Sequence, residues 1–184
     1  MPASAYSNLR LQVVAELLAY SIFTLKKMEP QLFVKMALQG WNTQVARAEN
    51  FFNSLADDDF QKPIAPGKNR ILYLYGHLTS YHGLLAETLG IGDAVHPELA
   101  PVFLRSPDGS AVEAYSVGQL KQYWTDVHNY LTELFAALPA EDWFKRHNAM
   151  TDEDFANDPT RNRLSVLLSR TNHIAYHFGQ LILT

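Results

Sequence analysis

The sequence predicts an all-α protein whose core is a four-helix bundle. Apolar residues recur at alternating steps of three and four along four long segments, which places them on one face of a helix. Alternating apolar and polar runs between tight turns, which would indicate β-strands, are nearly absent. Connections rich in proline and glycine separate the segments. These three observations predict one helical domain over residues 1–184, with the four-helix core in 31–184.

The composition restricts both the size of the core and the available chemistry. A chain of 184 residues with 47% hydrophobic content is long enough for one compact domain and short for two. The net charge of −4, without a cluster of basic residues, argues against nucleic-acid and anionic-membrane partners. The sequence has no cysteine, which excludes disulfides, thiolate metal sites and cysteine catalysis. Any metal ion must therefore be bound by nitrogen or oxygen.

Residues 1–28 form an apolar segment that precedes the predicted core. Gln12 and Glu16 interrupt it, Lys26 and Lys27 follow it, and it has no small-residue cleavage site of the kind that signal peptides carry. The chain also lacks an apolar run of the ~18 residues that a bilayer span requires. We expect an additional N-terminal helix that packs on the domain or on a second subunit of a homodimer, and a cytoplasmic location.

The first two core helices are predicted from their apolar spacing. The first runs from Gln31 to Leu55 and is ended by the acidic run 57–59 and by Pro63 and Pro66, because proline cannot donate to a helix. The second runs from Asn69 to Gly90, where glycine can adopt the left-handed conformation that closes helices. The apolar positions are Val34, Leu38, Trp41, Val45, Ala48, Phe52 and Leu55 in the first helix, and Ile71, Leu74, Leu78, Tyr81, Leu85 and Leu89 in the second.

A long crossover connects the second and third core helices over residues 92–115. Three prolines and a glycine break its pattern, and its length is unusual for a compact domain. It is expected to be a lid or a dimer contact, with a plain connection as an equal alternative. The third helix begins at Ser116, which forms a capping box with Gln119, and it ends at Pro139. Asp158 and Pro159 are expected to cap the fourth.

The fourth helix carries the motif with the clearest chemical meaning. His173 and His177 are four residues apart, so their imidazoles lie on the same face and can reach one metal ion. A site with an open position needs a third ligand, expected from the helix that begins at Asn69. His77 and His82 both lie in that helix, on opposite flanks of its apolar face, and the spacing does not choose between them.

These histidines give the chain a resemblance to a known family. It resembles the DinB/YfiT-like superfamily of metal-binding four-helix bundles in the order of its elements from Gln31 onward and in three short stretches: His77-Leu78 followed by His82, His173-Ile174-Ala175-Tyr176-His177, and Phe178-Gly179-Gln180. The resemblance implies that His77, His173 and His177 are the metal ligands. It leaves His82 as a neighbour of the site.

The resemblance also implies a class of function. Some members of the superfamily are transferases or isomerases that use a low-molecular-weight thiol, and others resemble metal-dependent hydrolases. Three neutral imidazoles suit zinc, nickel, cobalt or iron, and water bound to such an ion is acidified toward a pKa of ~7. We expect a small-molecule substrate and a small thiol as cosubstrate. The alternative is a non-catalytic dimeric bundle with a structural or vestigial metal site.

Residues around the three histidines are candidates for the surroundings of the site. Gln180 follows His177 by three residues and could orient it, since metal-bound imidazoles usually donate their second N–H. Tyr73 and Tyr81 lie four residues on either side of His77 and could supply a phenol, although ordinary packing explains them as well. No residue is assigned as a catalytic base. A ferritin-like site is excluded because the required Glu-x-x-His pairs are absent.

Overall fold

The structure is a computed structural model that describes the backbone of residues 3–184. Side chains are described for residues 30–184 except 113, and for Gln12, Glu16, Leu17 and Tyr20. Within residues 3–184 the chain forms helices and no strand, which confirms the predicted all-α class. The helices are α1 (Ala3–Ser54), α2 (Ile71–Gly83), α3 (Leu85–Leu89), α4 (Ala100–Phe103), α5 (Val117–Ala137), α6 (Asp152–Asn157) and α7 (Arg163–Leu181). Single turns of 3-10 helix occur at Asp57–Gln61, Pro97–Leu99, Val112–Ala114 and Ala140–Phe144.

The N-terminal segment and the first core helix form one helix. An additional helix was expected over residues 1–28; from Ala3 on, this segment is the first half of α1, which continues through Pro30 to Ser54. Proline removes one backbone donor, and the flanking hydrogen bonds can carry the helix past it. Among the described side chains of α1, that of Val34 is the first that is buried in the core. Several apolar side chains along α1 are exposed: Leu17, Tyr20, Leu32, Phe33 and Met36.

The second core helix is shorter than predicted. It stops at Gly83, and after Leu84 the short helix α3 continues to Leu89. The main chain of the crossover approaches closely at this point, because the Val95 amide donates to the Gly83 carbonyl at 2.9 Å. A side chain at position 83 would collide with the Val95 carbonyl. Gly90 closes α3 in the left-handed conformation, with φ of 67°, as predicted.

The caps of the last two long helices were predicted with different success. Ser116 and Gln119 form the predicted capping box at the start of α5. Asp158 and Pro159 were expected to cap α7, and this expectation was wrong. The N-cap is Asn162, whose side chain accepts a hydrogen bond from the Ser165 amide at 3.0 Å. Asp158 instead follows the last residue of α6.

The bundle buries two clusters of apolar side chains. One surrounds α2 and includes Phe52, Tyr75 and Trp124, and the other joins α1, α3, α5 and α7 around Trp41 and Trp143. Because α2 contacts the rest of the domain on nearly all sides, even its Thr79, Ser80 and His82 are buried. His82 lies where the two clusters meet, with its ring centroid 4.7 Å from that of Trp41 and 5.6 Å from that of Trp124.

The crossover packs on α2 of the same chain. Arg70 and Asp108 form a largely buried ion pair at 2.7 Å, and the Tyr73 hydroxyl donates to the Ser106 carbonyl at 2.6 Å. The Phe103 ring is fully buried against Gly76. These contacts hold the crossover over the N-terminal part of α2. None of the helices described is sufficiently long and apolar to span a bilayer.

Candidate metal centre

Three imidazoles from two helices meet at one point. His77 comes from α2, and His173 and His177 come from successive turns of α7. The Nε2 atom of His173 lies 3.2 Å from Nε2 of His77 and 3.1 Å from Nε2 of His177. Nitrogens bound to one zinc ion at ~2.0–2.1 Å in a tetrahedral arrangement are separated by roughly 3.3 Å. The three side chains are partly buried and could hold a metal ion.

Hydrogen bonds to the outer nitrogens decide which ring atoms face the common point. The Nδ1–H of His77 donates to the Phe103 carbonyl at 2.9 Å, because a carbonyl can only accept. The Nδ1 atom of His177 lies 2.8 Å from Oε1 of Gln180, so it is again the donor. Both rings in their neutral form therefore carry a free lone pair on Nε2. This is the tautomer that metal binding through Nε2 requires.

The first histidine of α7, His173, has different surroundings. The Nδ1 atom of His173 is buried and has no hydrogen-bond partner among the described residues. Its Nε2 atom is shared between the Nε2 atoms of His77 and His177. Since those two atoms carry lone pairs, three acceptors converge unless His173 carries its proton on Nε2 and donates a hydrogen bond to one of them. A cation between the three rings satisfies all of them at once.

Burial and nearby positive charge keep the three imidazoles neutral. Burial lowers the pKa of His173 to about 4, helped by the other two histidines and by Arg170. Burial likewise lowers the pKa of His77, against the opposing effect of the Phe103 carbonyl, and that of His177, against the effect of Gln180. Neutral imidazoles at physiological pH are the form that binds divalent metals.

The predicted neighbours of the site take distinct places. Gln180 contacts His177 through its amide oxygen, and its amide nitrogen donates to the Tyr176 hydroxyl at 3.2 Å. The ring of Tyr81 packs edge-on against His77 and His173, with centroids 4.9 and 4.8 Å away. Tyr73 lies beside His77, with ring centroids 6.2 Å apart. Its hydroxyl donates a hydrogen bond to the Ser106 carbonyl in the crossover.

His82 belongs to a separate pair in the core. It is fully buried, and its Nδ1 atom lies 3.0 Å from Nε2 of His128. His128 donates its own Nδ1–H to the Trp124 carbonyl at 2.8 Å, so His82 must donate to His128. Burial lowers the pKa of His128 to about 4, and it lowers that of His82 as well. The structure therefore does not bring His82 to the three-histidine cluster.

Two contributors to the site were missed at the level of sequence. The Phe103 carbonyl belongs to the main chain, so its role beside His77 cannot be predicted from the type of residue at position 103. The Arg170 guanidinium lies over the Tyr81 ring, 4.7 Å from its centroid. The spacing of the sequence shows that Arg170 lies one turn before His173 on α7. It does not show the contact with Tyr81, because Tyr81 lies on another helix, α2.

One comparison with known proteins places the chain in a family. A family model described as the DinB superfamily matches residues 38–181. The matched range includes the three histidines, the crossover and Gln180. No curated protein gives a significant match to the chain.

Proposed function

Because the chain belongs to the DinB superfamily, we propose that it is a metal-dependent enzyme whose His77, His173 and His177 bind one divalent transition-metal ion. The observation that carries the proposal is the convergence of three Nε2 atoms at 3.1–3.2 Å, with two of the outer Nδ1 protons already engaged. A divalent ion held by neutral imidazoles would supply Lewis acidity to a small molecule that reaches it.

The protein supplies orientation and electrostatics around that ion. Phe103 and Gln180 fix the tautomers of His77 and His177, so neither ring needs to reorganise when the ion binds. Zinc, nickel, cobalt and iron all accept three imidazoles, and the donor set does not choose among them. The reactions that fit are transfer involving a low-molecular-weight thiol and hydrolysis of a small-molecule substrate. The proposal that a thiol takes part is supported by the family resemblance alone.

Metal analysis of the purified protein tests the ligand assignment. Protein made without an affinity tag or added metal should contain roughly one transition-metal ion per chain. His77→Ala and His173→Ala should lose the ion while their circular dichroism stays helical. His96→Ala is the matched control, because His96 is bound to Asp126 and stacked on Tyr123 outside the cluster. Unchanged metal content in both ligand variants would refute the proposal.

Cobalt substitution tests the thiol. Addition of 2-mercaptoethanol to the cobalt-loaded protein should produce a sulfur-to-metal charge-transfer band if a thiol binds the ion directly. A cobalt spectrum that stays the same at saturating thiol would leave hydrolysis as the surviving reaction class. The His173→Ala variant serves as the blank, since it lacks one of the proposed ligands.

A second candidate is a non-catalytic homodimer with a structural or vestigial metal site. The observation that favours dimerisation is the set of exposed apolar side chains along α1, which includes Leu32, Phe33 and Met36. Replacing Phe33 and Met36 with serine should convert a dimer into a monomer in analytical ultracentrifugation. If the protein dimerises and its bound ion gives no response to any small ligand, the structural role is preferred. We also propose a cytoplasmic location and neither nucleic-acid nor membrane partners, in line with the net charge of −4.

A further inference from the structure

Arg170 places a fixed positive charge beside the three-histidine cluster. It precedes His173 by three residues on α7, so both side chains lie on the same side of that helix. Its guanidinium is stacked on Tyr81, whose ring in turn contacts His77 and His173. The charge of Arg170 acts on both of these histidines and lowers their pKa. The guanidinium is therefore close to the proposed metal ion without being one of its ligands.

This charge has no acidic partner in the described part of the chain. The other arginine beside α2, Arg70, is paired with Asp108, whereas Arg170 makes no ion pair and no hydrogen bond with any residue whose side chain is described. The groups that shift the pKa values of the three ligands are imidazoles, Arg170, the Phe103 carbonyl and Gln180, and no carboxylate is among them. With a divalent ion bound, three positive charges would stand together in a partly buried site. Such a charge excess is costly unless an anion neutralises part of it.

The contact with the Tyr81 ring also positions the Arg170 guanidinium to bind a planar anionic group of a ligand. The guanidinium lies over the Tyr81 ring in a cation–π contact, which restricts its position, and none of its N–H donors bonds to a residue whose side chain is described. A carboxylate matches two parallel N–H donors, and this pairing is among the strongest hydrogen-bonded contacts in proteins. A phosphate would call for more cationic groups than the single arginine that acts on this cluster.

We propose that the small molecule bound at the metal centre carries a carboxylate, which pairs with Arg170 while a second donor atom of the same molecule reaches the ion. This inference rests on the proposed metal site and specifies the substrate class for it. Arg170 is then the residue that determines specificity, and Tyr81 positions its guanidinium.

Two probes of equal length separate the role of the carboxylate from that of the thiol. Cobalt-loaded protein is titrated with 3-mercaptopropionate and with 3-mercaptopropanol, and the cobalt absorption spectrum is followed. The carboxylate probe should bind at least about tenfold more tightly, the factor expected for one charge-assisted bidentate pair. The preference should disappear in Arg170→Gln and persist in Arg47→Gln, which removes the same charge from an exposed position on α1.

The outcomes distinguish this inference from the metal site on which it rests. If the parent protein takes up no cobalt, both proposals fail. If cobalt is bound and the two probes bind equally, or Arg170→Gln keeps the preference, only the role of Arg170 is overturned. If Arg170→Gln does not fold, Arg170→Lys retains the charge without the paired donors, and it should bind the carboxylate probe more weakly than the parent. Equal binding by that variant would also overturn the inference.

Discussion

The Phe103 ring occupies the space in which a side chain at Gly76 would begin. A Cβ atom at position 76 would overlap three atoms of the ring, which is itself completely buried. The two residues flank the three-histidine cluster, since Gly76 precedes His77 and the Phe103 carbonyl accepts a hydrogen bond from the Nδ1–H of His77. The glycine thus permits the close approach that orients a proposed ligand.

Gly76→Ala should therefore destabilise the protein and weaken metal binding together. Displacing a buried ring costs about 1–3 kcal/mol of unfolding free energy, and the same displacement moves the Phe103 carbonyl. Urea unfolding and metal titration measure the two effects. Gly179→Ala is the control, because apart from its chain neighbours and the backbone of α7 no atom of the described residues lies within 4 Å of its Cβ position. A Gly76→Ala variant as stable as that control would show that Phe103 adjusts freely.

Gln180→Ala should lower metal affinity without changing the fold. The amide oxygen fixes the His177 tautomer, and loss of such a partner typically reduces metal affinity about 10–100-fold. Competition with a chromophoric chelator gives the affinity. Tyr176→Phe removes only the far end of the same chain of hydrogen bonds, so its effect should be smaller. A larger loss in Tyr176→Phe would contradict this order.

His82→Ala should reduce stability and leave the metal content unchanged. The side chain is fully buried, and its removal leaves a cavity as well as an unpaired acceptor on His128. We expect a loss of about 2 kcal/mol or more in the free energy of unfolding. Elemental analysis should still give the metal content of the parent protein. Loss of the ion from a folded His82→Ala protein would mean that the ligand set is assigned wrongly.

The Arg70–Asp108 pair should make the crossover sensitive to acid. Burial raises the pKa of Asp108, but the hydrogen bonds and charge of Arg70 outweigh it and bring that pKa below its usual value. A carboxyl with a depressed pKa in the folded state stabilises at neutral pH, and this contribution is lost as the pH falls through that pKa. Asp108→Asn should cost about 1–3 kcal/mol at pH 7.

The pH series itself supplies the control for this prediction. The difference in unfolding free energy between Asp108→Asn and the parent should begin to shrink below about pH 4, where the carboxyl of the unfolded state becomes protonated, and should be lost only as the pH falls through the lower pKa of the folded state. A difference that stays constant from pH 7 to pH 3 would assign the effect to packing rather than to charge.

Sequence periodicity was sufficient for the fold and for two of the three clustered histidines. The steps of three and four predicted the long helices, and the four-residue spacing predicted that His173 and His177 share a face. The same reasoning could not choose between His77 and His82, because α2 is buried on nearly all sides and has no polar face to mark its outside. Only the family resemblance favoured His77.

Other features depend on contacts that residue type does not encode. At the break after Gly83, the Gly83 carbonyl accepts a hydrogen bond from the Val95 amide. This contact joins two separate segments of the chain and has no signal in the spacing of α2 alone. The pairing of His82 with His128 joins α2 to α5 across a distance in sequence of 46 residues. Continuity of α1 through Pro30 depends on hydrogen bonds outside the proline itself.

The crossover contributes a main-chain oxygen to the orientation of His77, and every amino acid carries that atom. Replacement of the side chain at position 103 can shift the oxygen but cannot delete it. Insertions or deletions between residues 92 and 115 should therefore be more damaging to this ligand than most point substitutions there, because the path of the chain matters more than its chemical content. In related sequences we expect the length of this connection around Phe103 to be preserved while its amino-acid composition varies.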